Sequence, residues 1–467
     1  MTASQADPGS FRDPESRVFY ADGQVYRALS PAGLADFEEL HASGLLSDPR
    51  IVRTERAKNI SEAAVLLGND VAAVLRHERL PFVSYPYEWT FSMLRDAALL
   101  QLDLLLAALD HDLTLKDSSP YNVQFAGTRP LFVDVGAFER LRAGELWVGY
   151  RQFCTLYLYP LLLQSLKGVA FQPWLRGSLE GITPAQMRGL MSFWDRFRRG
   201  LATNVFLHAR LDRREVSDDE VKREVRRSGL AKQLIRANVR KMRKLVERLD
   251  WSPPQGVWTE YGGHNTYSQE DARRKDAFVR EVATSRGWPL VWDLGCNNGR
   301  HARIAAEGAA YVVAVDADDA PVELLYRALR EERNERILPL VGNVADPSPA
   351  LGWRGVERKT LLERGRPDLV LALALVHHLA IGANVPVAEV VDWLADLGGA
   401  LVVEFPTRDD PMVQKLLAPK RDGLHPDYEL EHFERRLAEA FDVRRREELG
   451  SGTRLLYYAA PKRPPLT

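Results

Sequence analysis

The C-terminal half is predicted to be α/β, a parallel sheet of five strands closed by a C-terminal hairpin, and the N-terminal half to be α+β. Three observations predict this. First, the apolar run Val291-Trp292-Asp293-Leu294 breaks into the turn Gly295-Cys296-Asn297-Asn298-Gly299 before a helical stretch from Arg300 to Glu307. Second, another apolar run, Tyr311 to Val315, ends in Asp316, 21 residues past Gly295, where a dinucleotide-type βαβ unit carries its ribose-binding acid. Third, apolar runs and amphipathic stretches alternate beyond Asp316 up to a closing Gly450-Ser451-Gly452 turn, whereas the first part of the chain reads as hairpins followed by helices.

Composition bounds the rest. The 467 residues exceed one ordinary core, so more than one domain is expected. A hydrophobic fraction of 45% and a formal net charge of −1 give no overall pull toward nucleic acid or membrane. The two cysteines, Cys154 and Cys296, support neither a disulfide framework nor a zinc site and fit a reducing cytoplasm. Residues 1–16 read as a disordered polar tail rather than a signal peptide. The longest apolar run, Leu156 to Leu163, is too short to span a bilayer.

Taken in order, Arg17 to Leu29 alternate around Asp22-Gly23, a hairpin signal. Ser30-Pro31 opens a helix with Leu34, Phe37 and Leu40 on one face. Strands are expected at Ile51–Thr54, Ala72–Leu75 and Phe82–Val83, then a strongly apolar helix from about Thr90 to Leu109. A loop, Lys116-Asp117-Ser118-Ser119-Pro120-Tyr121-Asn122, precedes a short strand, and a returning strand delivers Asp134-Val135-Gly136.

The spacing of Asp117, Asn122 and Asp134 resembles the catalytic and metal-binding loops of protein-kinase-like and aminoglycoside-phosphotransferase-like folds. That resemblance covers residues 17–200. It implies a catalytic-base position at Asp117, magnesium-ligand positions at Asn122 and Asp134, and ATP with Mg as cofactors. No glycine-rich phosphate loop precedes it, and Arg27 is the cation available in place of a lysine. The lobe is accordingly expected to be degenerate and accessory. From Arg140 to Leu163 a buried helix is expected, with Trp147, Tyr150, Phe153, Tyr157 and Tyr159 assigned to packing.

Residues 201–255 read as a basic helical linker. Ile235, Val239, Met242 and Val246 recur at helical spacing among Arg and Lys. Without interleaved aromatics for base stacking, a solvated connecting helix is expected rather than a nucleic-acid surface. Trp251-Ser252-Pro253-Pro254 ends it.

Residues 256–467 form the second domain. The Asp-x-Gly-x-x-x-Gly pattern at Asp293, Gly295 and Gly299, followed by the strand-end Asp316, resembles class I S-adenosylmethionine-dependent methyltransferases rather than nicotinamide enzymes, whose G-x-G-x-x-G turn packs on a pyrophosphate. The resemblance spans about residues 257–460 and implies a Rossmann-like sheet, S-adenosyl-L-methionine as cofactor, and a cofactor set of Asp293, Gly295, Asn297, Gly299, Asp316, Ala317, Asn343, Val344, Asp346 and Ala374. Within it, Asn343 or Asp346, just past the strand Ile337–Val341, is expected to read adenine. Tyr261, His264, Asn265 and Tyr267 are lid and substrate candidates.

The nearly all-apolar run Asp368 to Ala374 reads as a central strand ending at His377-His378, and Ala400–Glu404 as the fifth. Ligands of open α/β sheets bind at such strand ends, so His378, His377 and Glu404 are the catalytic candidates. His378 is favoured because the resembling motif often keeps the second histidine. The nucleic-acid amino-methyltransferase signature is absent after the fourth strand, where Ala374-Leu375-Val376-His377 stands. The expected activity is methyl transfer to a small-molecule acceptor of natural-product or glycan type, with no metal required. Two rivals are a bifunctional enzyme with an active ATP-Mg phosphotransferase lobe and a non-catalytic S-adenosylmethionine-binding regulator.

Overall fold

Alternation along four buried strands determines how the chain packs. The computed structural model describes residues 5–57, 70–212, 231–253, 268–421 and 423–462. It contains sixteen strands among those residues, which we number β1 to β16. Seven form the C-terminal sheet: β10 (Trp288–Leu294), β11 (Ala309–Asp316), β12 (Ile337–Val341), β13 (Leu369–Ala372), β14 (Ala400–Pro406), β15 (Phe441–Glu448) and β16 (Arg454–Pro461). Their order is β12-β11-β10-β13-β14-β16-β15. Five are parallel, and β16 inserts antiparallel between β14 and β15. This is the expected five-strand sheet with a closing hairpin.

Successive side chains on a strand face opposite ways, so each central strand feeds two cores. Val291, Val312, Ala314, Leu369, Leu371 and Val402 join one apolar cluster with Phe278, Val279 and Val282 of the helix Gln269–Thr284. The alternate residues Trp292, Val313, Val315, Val370, Ala372 and Val403 join a second cluster that continues through the N-terminal half. The N-terminal half is therefore packed on one face of the sheet. Phe82 meets Trp292 edge-on at 6.0 Å between ring centroids.

The N-terminal sheet has the order β1-β2-β3-β5-β4, with β1 at Gln5–Ala6, β2 at Ser16–Ala21, β3 at Gln24–Leu29, β4 at Thr54–Arg56 and β5 at Ala73–His77. The Asp22-Gly23 hairpin is where the alternation predicts it. Ser30 caps the helix Pro31–Ala42 through its side chain, and Thr90 caps Phe91–Asp110 in the same way. Short ladders pair β6 (Leu113–Leu115) with β9 (Phe138–Arg140), and β7 (Val123–Ala126) with β8 (Arg129–Phe132).

Four expectations are corrected. Residues 5–16 are not a disordered tail: β1 pairs with β2, Lys359 binds Asp7 at 2.8 Å, and Arg12 binds Glu357 at 2.6 Å, contacts from a distant segment that local composition does not reveal. Phe82–Val83 is not a strand, because the Val83 carbonyl accepts from the Arg364 guanidinium instead of a neighbouring strand. Helix begins only at Tyr150, not at Arg140, since residues 138–140 pair in β9. Finally, the basic helix Ala231–Glu247 is not solvated all round: Ile235, Val239, Met242 and Val246 are buried in the shared core, and Arg243 binds Asp103 of the helix Phe91–Asp110 at 2.6 Å.

Candidate functional site

The glycine turn lies at the carboxyl ends of β10 and β11. Gly295, Asn297 and Gly299 all take positive φ, at 75°, 48° and 75°. Glycine is required at position 299, where a Cβ would lie 2.5 Å from the Leu325 side chain. The turn is tied to the second strand. The Gly295 and Cys296 amides donate to the Val315 carbonyl, and the Asn297 amide donates to Asp316 Oδ2 at 2.8 Å. The Asp318 amide donates to Asp316 Oδ1 at 3.0 Å. Asp316 is thus aimed and half-buried at the strand end, with Ala317 exposed beside it.

Asp293 is buried, and its Oδ2 has no hydrogen-bond partner. Burial and then the charge of Asp316 push its carboxyl up to about 7. The site therefore holds an unsatisfied acceptor beside a second carboxylate, an arrangement suited to a ligand that brings a donor or a positive charge.

The third strand end carries Gly342, whose amide donates to the Asp316 carbonyl. Asn343 turns its Oδ1 back onto the Ala345 amide at 2.9 Å, and Val344 is half-buried. Both Asp346 carboxylate oxygens are held by Arg176 at 2.8 and 3.0 Å. Gln164 donates to Asp319 Oδ2 at 2.9 Å. Arg176 and Gln164 belong to the N-terminal half and lie far from these partners in the sequence; no local motif marks them.

At the fourth strand end Ala374 takes φ 50°, and the chain turns into His377 and His378, whose rings lie 4.2 Å apart. His377 is buried with Nδ1 unpartnered, while His378 is exposed. Desolvation lowers both imidazoles, His377 well below its ordinary value, so both are neutral at neutral pH. Glu404 on β14 is wholly buried and accepts from Lys275 at 2.6 Å and Arg454 at 3.0 Å, and Arg454 also binds Asp410 at 2.6 Å. The candidates Tyr261, His264, Asn265 and Tyr267 lie outside the described residues.

In the N-terminal half Asp117, Asn122 and Asp134 come together. Asn122 Nδ2 donates to Asp117 Oδ1 at 2.5 Å, and Arg27 pairs with Asp134 at 2.8 Å. Burial, then the Asp134 charge, pushes Asp117 up to about 7. Asn122, Asp134 and Arg27 line a cavity of about 590 Å³, which Arg358 and Lys359 from the segment between β12 and β13 also line.

Fold and turn define the C-terminal half as α/β, with a mostly parallel sheet that carries a glycine turn at the carboxyl end of its first strand. The sequence is 34% identical over 457 residues to the nodulation protein NoeA of Rhizobium meliloti (strain 1021), covering 96% of this chain and 94% of that protein. The chain belongs to the NoeA family. No family model matches it. Among solved structures it is similar to the N-methyltransferase NodS of Bradyrhizobium japonicum WM9, with a TM-score of 0.32 and 14% identity over 42% of this chain and 99% of that one. It is also similar to the magnesium protoporphyrin IX methyltransferase ChlM of Synechocystis PCC 6803, with a TM-score of 0.30 and 18% identity over 44% and 93%.

Proposed function

We propose that the chain is an S-adenosylmethionine-dependent methyltransferase acting on a small-molecule acceptor of natural-product or glycan type. The observation that carries this reading is the pair of strand-end acids, Asp293 with an unpartnered oxygen and Asp316 aimed by the turn amides. The residues fit the cofactor: a buried orphan acceptor suits its ammonium, and a strand-end carboxylate suits its ribose. Gly295, Asn297, Gly299, Ala317, Val344 and Ala374 line the turn and strand ends around it. Asn343 is the adenine reader in this account, because Arg176 occupies both oxygens of Asp346. When bound, the sulfonium supplies an activated methyl for in-line displacement.

The chain's own work is then to orient the acceptor, exclude water and take a proton where the nucleophile carries one. His378 is exposed at the strand end and neutral, which suits a base that meets the acceptor; His377, buried with its ring tilted against it at 4.2 Å between centroids, positions it. Glu404, locked by two cations, holds the floor of the site. NoeA is named a nodulation protein, and we propose the same setting for this chain.

A second reading has its own observation, the convergence of Asn122, Asp134 and Arg27 on a cavity, with Asp117 bonded to Asn122. In a kinase-like lobe of residues 17–200, Asn122 and Asp134 would hold magnesium with ATP, and Asp117 would accept a hydroxyl proton. We rank it second because Arg27 neutralises Asp134.

Incubation with labelled S-adenosylmethionine and a cell extract tests the first reading. A labelled small-molecule product is expected, and His378→Asn is expected to lower its rate about 10²–10⁴-fold while cofactor affinity stays within about twofold. A labelled macromolecule, or no labelled product, would contradict it.

A further inference from the structure

The turn 192–199 displays three large aromatic rings to water. Phe193, Trp194 and Phe197 are 61%, 76% and 68% exposed. Their centroids lie 5.6 to 6.1 Å apart, so they form one patch, and the Arg196 guanidinium lies over Phe193 and Phe197 at 5.1 and 5.5 Å.

This is a built display rather than a frayed loop. Asp195, buried beneath the rings, accepts from the Ser192 amide at 2.8 Å, from the Ser192 hydroxyl at 2.7 Å, from Lys167 at 2.6 Å and from Arg198 at 3.2 Å. Those contacts fix the backbone that carries the rings, and the Lys167 bond, with the others, holds the Asp195 carboxyl well below the ordinary carboxylate range, so that anchor is charged.

We propose that this turn docks the protein onto an anionic lipid surface. Two arguments favour that occupant over a protein partner. The first is charge: Arg196, Arg198 and Arg199 are exposed around the rings, and Asp195, the one acid in the turn, is buried and paired. An aromatic cluster rimmed by arginine matches an interface in which rings sit at headgroup level and guanidinium groups meet lipid phosphates. The second is area. Rings exposed to this degree offer on the order of 450 Å², about half of the roughly 800 Å² that each partner contributes to a stable protein interface. Shallow insertion into a bilayer has no such requirement. No helix among the described residues is long and apolar enough to cross a membrane.

Co-sedimentation of the full chain with phosphatidylcholine vesicles, with and without phosphatidylglycerol, tests the proposal. Binding is expected to the anionic vesicles and to weaken in high salt. The triple variant Phe193→Ser, Trp194→Ser, Phe197→Ser is expected to bind at least about tenfold more weakly, and Arg196→Ala and Arg199→Ala about fivefold more weakly each. All five side chains are exposed, so the variants keep the fold. No binding of the wild type to anionic vesicles, or equal binding by the triple variant, would overturn the proposal. So would self-association in sedimentation velocity that the triple variant abolishes, since the patch would then join copies of this chain.

Discussion

Arg364→Met is expected to destabilise the whole chain by about 3–5 kcal/mol, because it leaves a buried carboxylate without its counter-charge. Arg364 sits in the segment between β12 and β13, and its guanidinium donates to both oxygens of Glu88 at 2.6 Å. Both side chains are almost fully buried. The same guanidinium donates to the Val83 carbonyl and lies over the Phe82 and Tyr85 rings at 5.0 and 4.8 Å. One side chain thus joins the connection between β12 and β13 to the N-terminal half. The urea unfolding midpoint measures the loss. The double variant Glu88→Gln, Arg364→Met is expected to regain part of it, since the stranded charge is gone while the Gln oxygen can still accept from the Tyr85 amide and its NH2 can donate to the Ser348 hydroxyl, the two partners that Glu88 holds on separate oxygens. A double variant less stable than Arg364→Met would show that the ion pair is not the source.

Lys275→Met is expected to cost about 3 kcal/mol, for the same physical reason in a second place. Glu404 is wholly buried, and Lys275 reaches it from the helix Gln269–Thr284. Arg454 also holds Glu404 and ties it to Asp410, so the loss falls at the lower end of the range. The consequence differs from that at Arg364, because Glu404 lies near the carboxyl end of β14, next to the strand β13 that leads to His377 and His378. Methyl transfer is expected to fall together with the unfolding midpoint, whereas Lys275→Arg, which keeps a cation there, is expected to retain most of both. Equal loss in the two variants would mean that shape rather than charge is what the site needs.

The βαβ unit was legible because its signals are local. Alternation marks β10 and β11, the glycines mark the turn, and Asp316 follows at the distance one helix imposes. The strand ends that carry Asn343, Ala374, His378 and Glu404 follow from the same period, and the β15–β16 hairpin from its glycines. What was not legible depends on residues far apart in the chain. Arg176 meets Asp346, Gln164 meets Asp319, and Lys359 and Glu357 order residues 7 and 12; no spacing rule connects such positions. The basic helix shows the same limit in a milder form. Its amphipathic pattern was clear, but only the apolar wall of Phe91–Asp110 and its Asp103 explain why one face is buried and one arginine is paired.

Calorimetric titration of the full chain with S-adenosylmethionine tests the central claim most directly. The account predicts saturable binding in the wild type, weakened about a hundredfold in Asp316→Ala, a loss of the size expected for removing a charged hydrogen-bond acceptor. Absence of binding in the wild type, or the same affinity in Asp316→Ala, would contradict the assignment of the turn at Asp293–Gly299 as the cofactor site.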